Sequence, residues 1–161
     1  MTLIELMIVV LLIGILAVAT TPFTASWFDN SRLTETIGIV EQAVGKARSA
    51  ALRNPSARSG NQPVSMICND NTNHVMHIVE YSLATATLSC DAASKSWNTK
   101  LATRVVIKAV AADASSANWS CTCFTNKGLI PLPAPAACSA CSTTLKLTIS
   151  SGNDNETITF N

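Results

Sequence analysis

The residues best equipped for covalent chemistry are six cysteines, and all of them lie beyond residue 67: Cys68, Cys90, Cys121, Cys123, Cys138 and Cys141. An even number confined to one part of a chain this short points to a disulfide framework made in an oxidising compartment. Six cysteines permit fifteen pairings. The working guess is Cys68 with Cys90 and two bridges among the later four. The spacing Cys121-x-Cys123 with Cys138-x-x-Cys141 also suits zinc, which would require thiolates kept reduced. No zinc-finger context surrounds them, so no metal is expected.

Other reactive side chains form no constellation. His74 and His77 fall in a predicted strand three residues apart, which puts them on opposite faces and makes a shared metal a poor fit. Serines are plentiful, but there is no Gly-x-Ser-x-Gly elbow and no base to activate one. Neither a phosphate-binding loop nor a Gly-rich dinucleotide fingerprint occurs. No catalytic residue and no cofactor is expected, and the chain does not read as an enzyme. Asn118-Trp-Ser120 and Asn155-Glu-Thr157 match the N-glycosylation pattern by composition alone.

Glu5 is the charged residue in the strangest company. The run from Leu6 to Ala19 is unbroken apolar, and between Glu5 and Asp29 no side chain carries charge. The chain as a whole is 13% charged with a net charge of +1, so it has no overall electrostatic bias toward nucleic acid or anionic lipid. As a helix, residues 6–28 reach roughly 35 Å, enough for a bilayer core. A secretory signal would open with Lys or Arg; this chain opens Met-Thr-Leu-Ile-Glu. A carboxylate among apolar side chains needs either protonation or a counter-charge. A free amine at residue 1 of a neighbouring copy would provide one and would set the axial register between stacked helices.

Thr2-Leu3-Ile4-Glu5-Leu6-Met7-Ile8-Val9-Val10, followed by Ile13-Gly14-Ile15-Leu16-Ala17 and Pro22, closely resembles the mature N-terminus of type IV pilins and type II secretion pseudopilins. The resemblance covers about 22 residues and implies numbering of a mature chain. It further implies cleavage by a prepilin peptidase, N-methylation of residue 1, and assembly into a homo-oligomeric helical filament or a mixed pilin filament. Met1, Thr2 and Glu5 are then the assembly residues. The implied location is a filament on a bacterial cell surface, with the inner membrane or periplasm as the place before assembly. Residue 1 departs from the family, which usually has Phe there. A weaker similarity, to the GspH/FimT group of minor pilins, is carried by Lys46 to Ala51, Gln62-Pro63-Val64 with Cys68, and Phe124 to Gly128. It implies the alternative of a minor subunit that primes a pilus or a secretion pseudopilus, or that binds DNA in natural transformation. Trp119-Ser120-Cys121 with Ile130-Pro131 and Cys138 is similar instead to the disulfide loop of major pilins.

The elements that hold these residues follow from periodicity. Gly14 and Pro22 interrupt the apolar pattern, and proline removes a backbone hydrogen bond, so a kink is expected there. After Asp29 the residues Leu33, Ile37, Val40, Val44, Ala47 and Ala51 recur at spacings of four and three, one face of a helix. Asn54-Pro55 ends it. One helix of about 50 residues is expected, far longer than the usual globular helix. Beyond it, 64–68, 75–81, 86–90, 103–110, 119–125, 145–150 and 157–160 read as strands, and the prolines of 128–135 mark a loop. The predicted class is α+β, a disulfide-stapled pilin fold with one long N-terminal α-helix on an antiparallel β-sheet. Residues 1–28 form a transmembrane or filament-core helix. Residues 29–161 form the head, with an amphipathic helix over 29–53. Lys46, Arg48, Arg53 and Arg58 gather near the helix end as possible DNA contacts. The acidic Asn153-Asp154-Asn155-Glu156 speaks against a nucleic-acid partner, and a solvated helix surface is the preferred reading.

Overall fold

In a computed structural model the chain is described over residues 2–83, 88–91, 95–111, 115–131 and 146–160, with backbone alone over 19–25. The first element, α1, runs Leu3–Arg53. It begins at Thr2 and stops at Asn54, whose left-handed backbone (φ 40°) turns the chain out of the helix. The Asn54 side chain then secures the turn from both directions. Its Oδ1 accepts from the Arg58 N–H at 2.9 Å and its Nδ2 donates to the Arg58 carbonyl at 2.7 Å. An Asx side chain that replaces lost helix bonds in this way is an efficient stop before a proline.

Eight strands follow: β1 (Pro63–Asp70), β2 (Val75–Glu80), β3 (Lys95–Lys100), β4 (Val105–Val110), β5 (Ser116–Asn118), β6 (Cys121–Thr125), β7 (Lys146–Ser151) and β8 (Asp154–Thr159). They form two antiparallel sheets of four strands, one in the order β3-β2-β1-β6 and the other β5-β4-β7-β8. This overturns the expected single long helix on a single sheet. There are two sheets, and among the described residues the helix buries a face against them beyond Asp29. Leu33, Val40, Val44, Ala47 and Ala51 are buried as the periodicity predicts, and Ala43, Ala50 and Thr36 join them. The core draws on both sheets, with Val64, Ile67, Met76, Ile78 and Phe124 from the first and Val105, Ile107, Leu147 and Ile149 from the second.

β1 is buried along almost its whole length, because the first sheet is covered on both faces. One face meets the helix, where Ser65 Oγ donates to the Ala47 carbonyl at 2.7 Å. The other carries Met66, Cys68, Val79, Leu88, Cys121 and Cys123. A Cys68–Cys90 disulfide pins the chain after β2 over that second face, as guessed. Cys123 is also disulfide-bonded and Cys121 is buried; Cys138 and Cys141 lie outside the described residues, and with them the rest of the pairing.

Several strand expectations change, and β5 was not expected at all. Leu88–Cys90 is a loop and turn, and Ala86 lies outside the described residues. Trp119 and Ser120 are irregular, the strand starting only at Cys121. β3 went unread because Lys-Ser-Trp-Asn-Thr-Lys has little β-branched content. An outermost strand tolerates this because, among the described residues, one side faces no neighbouring strand.

Candidate assembly surface

Thr2 and Glu5 meet at the start of α1. Thr2 occupies the N-cap and Glu5 the third helical position, a capping box in which the Thr2 backbone N–H donates to Glu5 Oε2 at 3.3 Å. That geometry gives the carboxylate a local task which charge arguments alone passed over: it satisfies a backbone donor that no helical carbonyl can reach. The signal was present in the sequence as Thr-x-x-Glu ahead of an apolar run. Glu5 is exposed, and it sits at the helix N-terminus where the backbone dipole favours negative charge. Met1 lies outside the described residues.

From Leu3 to Val18 every large apolar side chain is exposed, from 47% at Val9 to 80% at Leu3. The stem does not fold back onto the head. Trp27 and Phe28 continue the exposed surface and touch edge to face, with ring centroids 5.4 Å apart. Stable monomers rarely expose a contiguous apolar surface of this kind. Among the described residues, no helix is long and apolar enough to cross a membrane. The expected transmembrane helix is therefore not found among the described residues. The backbone is helical through Gly14 and Pro22, and the Pro22 side chain lies outside the description.

The four basic residues near the helix end do not form one patch. Lys46 and Arg48 lie two positions apart and point to opposite flanks of α1. Lys46 Nζ stands over the Trp97 ring at 5.1 Å, and the Arg48 guanidinium lies 5.8 Å from the Phe124 ring centre. Arg53 pairs with Glu80 at 3.5 Å. Arg58 stacks on Tyr81 at 3.8 Å and donates Nε–H to Gln62 Oε1 at 3.0 Å. Lys46 and Arg53 share a concavity, an open groove of about 150 Å³ walled by Ser49, Ala50, Ile78, Glu80, Ser96 and Trp97. Each cation is engaged by its own chain, and Glu80 offsets the charge of the groove.

The histidines separate as well. His74 lies in the β1–β2 turn with φ 51°, not in a strand. His77 is buried in β2 opposite Cys68, and its Nε2 is 2.9 Å from the Cys90 carbonyl oxygen. It braces the disulfide-tethered loop. Among the described residues no group of three or more His, Cys, Asp or Glu side chains is placed to hold a metal. No family model, no curated protein and no solved structure matches the chain.

Proposed function

We propose that this chain is a structural subunit of a type IV pilus-class filament, assembling through its N-terminal helix on a bacterial cell surface. One observation carries the reading: a continuous exposed apolar helix, Leu3 to Val18, projects from a folded and disulfide-tethered head. Covering it with copies of itself is favourable because each fully buried Leu, Ile or Val side chain contributes about 1.5–3 kcal/mol. Before assembly the same surface would rest against the inner membrane, after processing by a prepilin peptidase.

Glu5 gives the packing its register. One carboxylate oxygen caps the helix through Thr2, and the carboxylate as a whole would face the free amine of Met1 on an adjacent copy. Bringing that pair together out of water removes two stranded charges at once, so a subunit seats better beside a seated neighbour than alone.

The test is filament yield by electron microscopy of cells that express the chain with Glu5→Ala or Glu5→Gln. Glutamine keeps an oxygen for the Thr2 cap but carries no charge. Both variants are expected to lose filaments or reduce them sharply while the head still folds and forms its Cys68–Cys90 disulfide. Normal yield from Glu5→Gln would refute the charge pairing. Unchanged filaments in which this chain is a rare component would assign it instead to priming or capping of a polymer built from another subunit.

A further inference from the structure

Two four-stranded sheets have four outer strands, and these differ sharply in what they offer a partner. β6 is buried throughout, and β5 is only three residues long. The remaining two, β3 and β8, are six residues each, mostly exposed, and hydrogen-bonded to one neighbour only among the described residues. Their charges are opposite. β3, Lys-Ser-Trp-Asn-Thr-Lys, carries Lys95 and Lys100 and no acid. β8, Asp-Asn-Glu-Thr-Ile-Thr, carries Asp154 and Glu156 and no base.

We propose that β3 of one copy docks against β8 of another, a contact between heads that is separate from the helix bundle. An outer strand presents a row of unpaired N–H and C=O groups that can receive a further strand. Pairing β3 with β3 would gather lysines along one seam, and pairing β8 with β8 would gather carboxylates; crowding like charges across neighbouring strands is destabilising. The unlike pairing sets ammonium groups beside carboxylates. Electrostatics thus rejects both symmetric dimers and selects the head-to-tail contact, which adds copies without closing.

The geometry narrows the docking segment. The β2–β3 register shifts between Ile78 and Val79, and Ser96 Oγ donates to the Ile78 carbonyl at 3.3 Å. Such a bulge spoils pairing at the Lys95 end. Trp97 to Lys100 stay in regular register with Ile78 to Val75. An antiparallel strand laid along Trp97–Lys100 therefore brings Lys100 to the Asp154–Glu156 end of β8. Lys146, on β7 opposite Thr159, keeps the other end of β8 positive and opposes a reversed docking with Lys100 at that end.

The contact deepens the filament reading and rests on it for its setting. Full-length chain is prepared in two isotopic forms, mixed under assembling conditions, and treated with a carbodiimide that joins amines to carboxylates without a spacer. Mixed-isotope cross-links between Lys100 and Asp154 or Glu156 are expected, with Lys95 contributing few. Reversal is introduced at neighbouring positions, so that every reactive lysine and carboxylate stays: Asn98→Glu on β3, or Asn155→Lys on β8, should each lower their formation at least tenfold. Co-assembly of the two reversed proteins should restore them. Cross-links confined to single copies, or charge reversal without effect, would overturn the proposal. Filament counts on the same samples separate the two readings. Filaments without the edge cross-links sink the head contact and leave helix assembly standing, whereas edge-linked pairs without filaments do the reverse.

Discussion

Individual residues in this head are chosen by backbone geometry more than by chemistry. Gly152 closes the β7–β8 hairpin with φ 60°, and a Cβ added there would run into the Asp29 carboxylate. Gly152→Ala should therefore lower stability by about 1–3 kcal/mol, combining left-handed strain with displacement of the Asp29 side chain. Adding Asp29→Ala should recover only the steric part, a comparison read from urea unfolding of the three variants. Asp70 organises the β1–β2 turn. Its carboxylate is held below the usual aspartate range, chiefly by the Asn73 side-chain amide, with backbone N–H groups of Asn73 and Thr72 adding to the effect. A depressed pKa in the folded state means the contribution is complete above the ordinary aspartate value and disappears as pH falls through the folded one. Asp70→Asn should flatten that acid limb of the stability profile and leave stability near neutral pH slightly lower.

Elements here are joined by a few cross-links whose loss is measurable. The Cys68–Cys90 bridge closes a loop with a sequence separation of 22 and ties it over the outer face of the first sheet. Replacing both cysteines by serine should cost about 3 kcal/mol, most of it through the greater freedom of the unfolded chain. It should also open the 81–91 segment to proteolysis before the sheets unfold. Cutting only after global unfolding would show that packing of Leu88 and the His77 contact with Cys90 hold the loop unaided. The helix was legible in sequence from Leu33 to its stop at Asn54-Pro55, because a buried face repeats with the helical period. β3 was not, because an outer strand needs no apolar alternation and Lys-Ser-Trp-Asn-Thr-Lys shows none.

At the scale of the whole molecule the two sheets meet at Trp119. Its backbone N–H donates to the Ile107 carbonyl on β4, and its carbonyl accepts the side-chain amides of Asn69 at 3.1 Å and Asn71 at 3.0 Å, next to β1. The indole N–H reaches Thr122 Oγ1 at 2.9 Å, with the ring fully buried. Trp119→Ala should cost about 3–5 kcal/mol, since it leaves a large cavity between sheets that share one core. The loss should appear in both sheets together by hydrogen exchange; protection lost in one alone would mean the sheets unfold independently.

The sequence by itself determined the apolar stem, the amphipathic helix behind it, the helix stop and most of the strands, since each of these is written in local periodicity or local turn chemistry. Even the Cys68–Cys90 pairing was within reach of a guess. Only the tertiary structure decided that the strands divide into two sheets, that β1 is covered on both faces, and that Lys46, Arg48, Arg53 and Arg58 engage separate partners. Strand partition and side-chain pairing depend on contacts between residues far apart in the chain, such as Val105 with Ser151 or Ser65 with Ala47. A period of two residues shows which face of a strand is apolar, but not which neighbour it will meet.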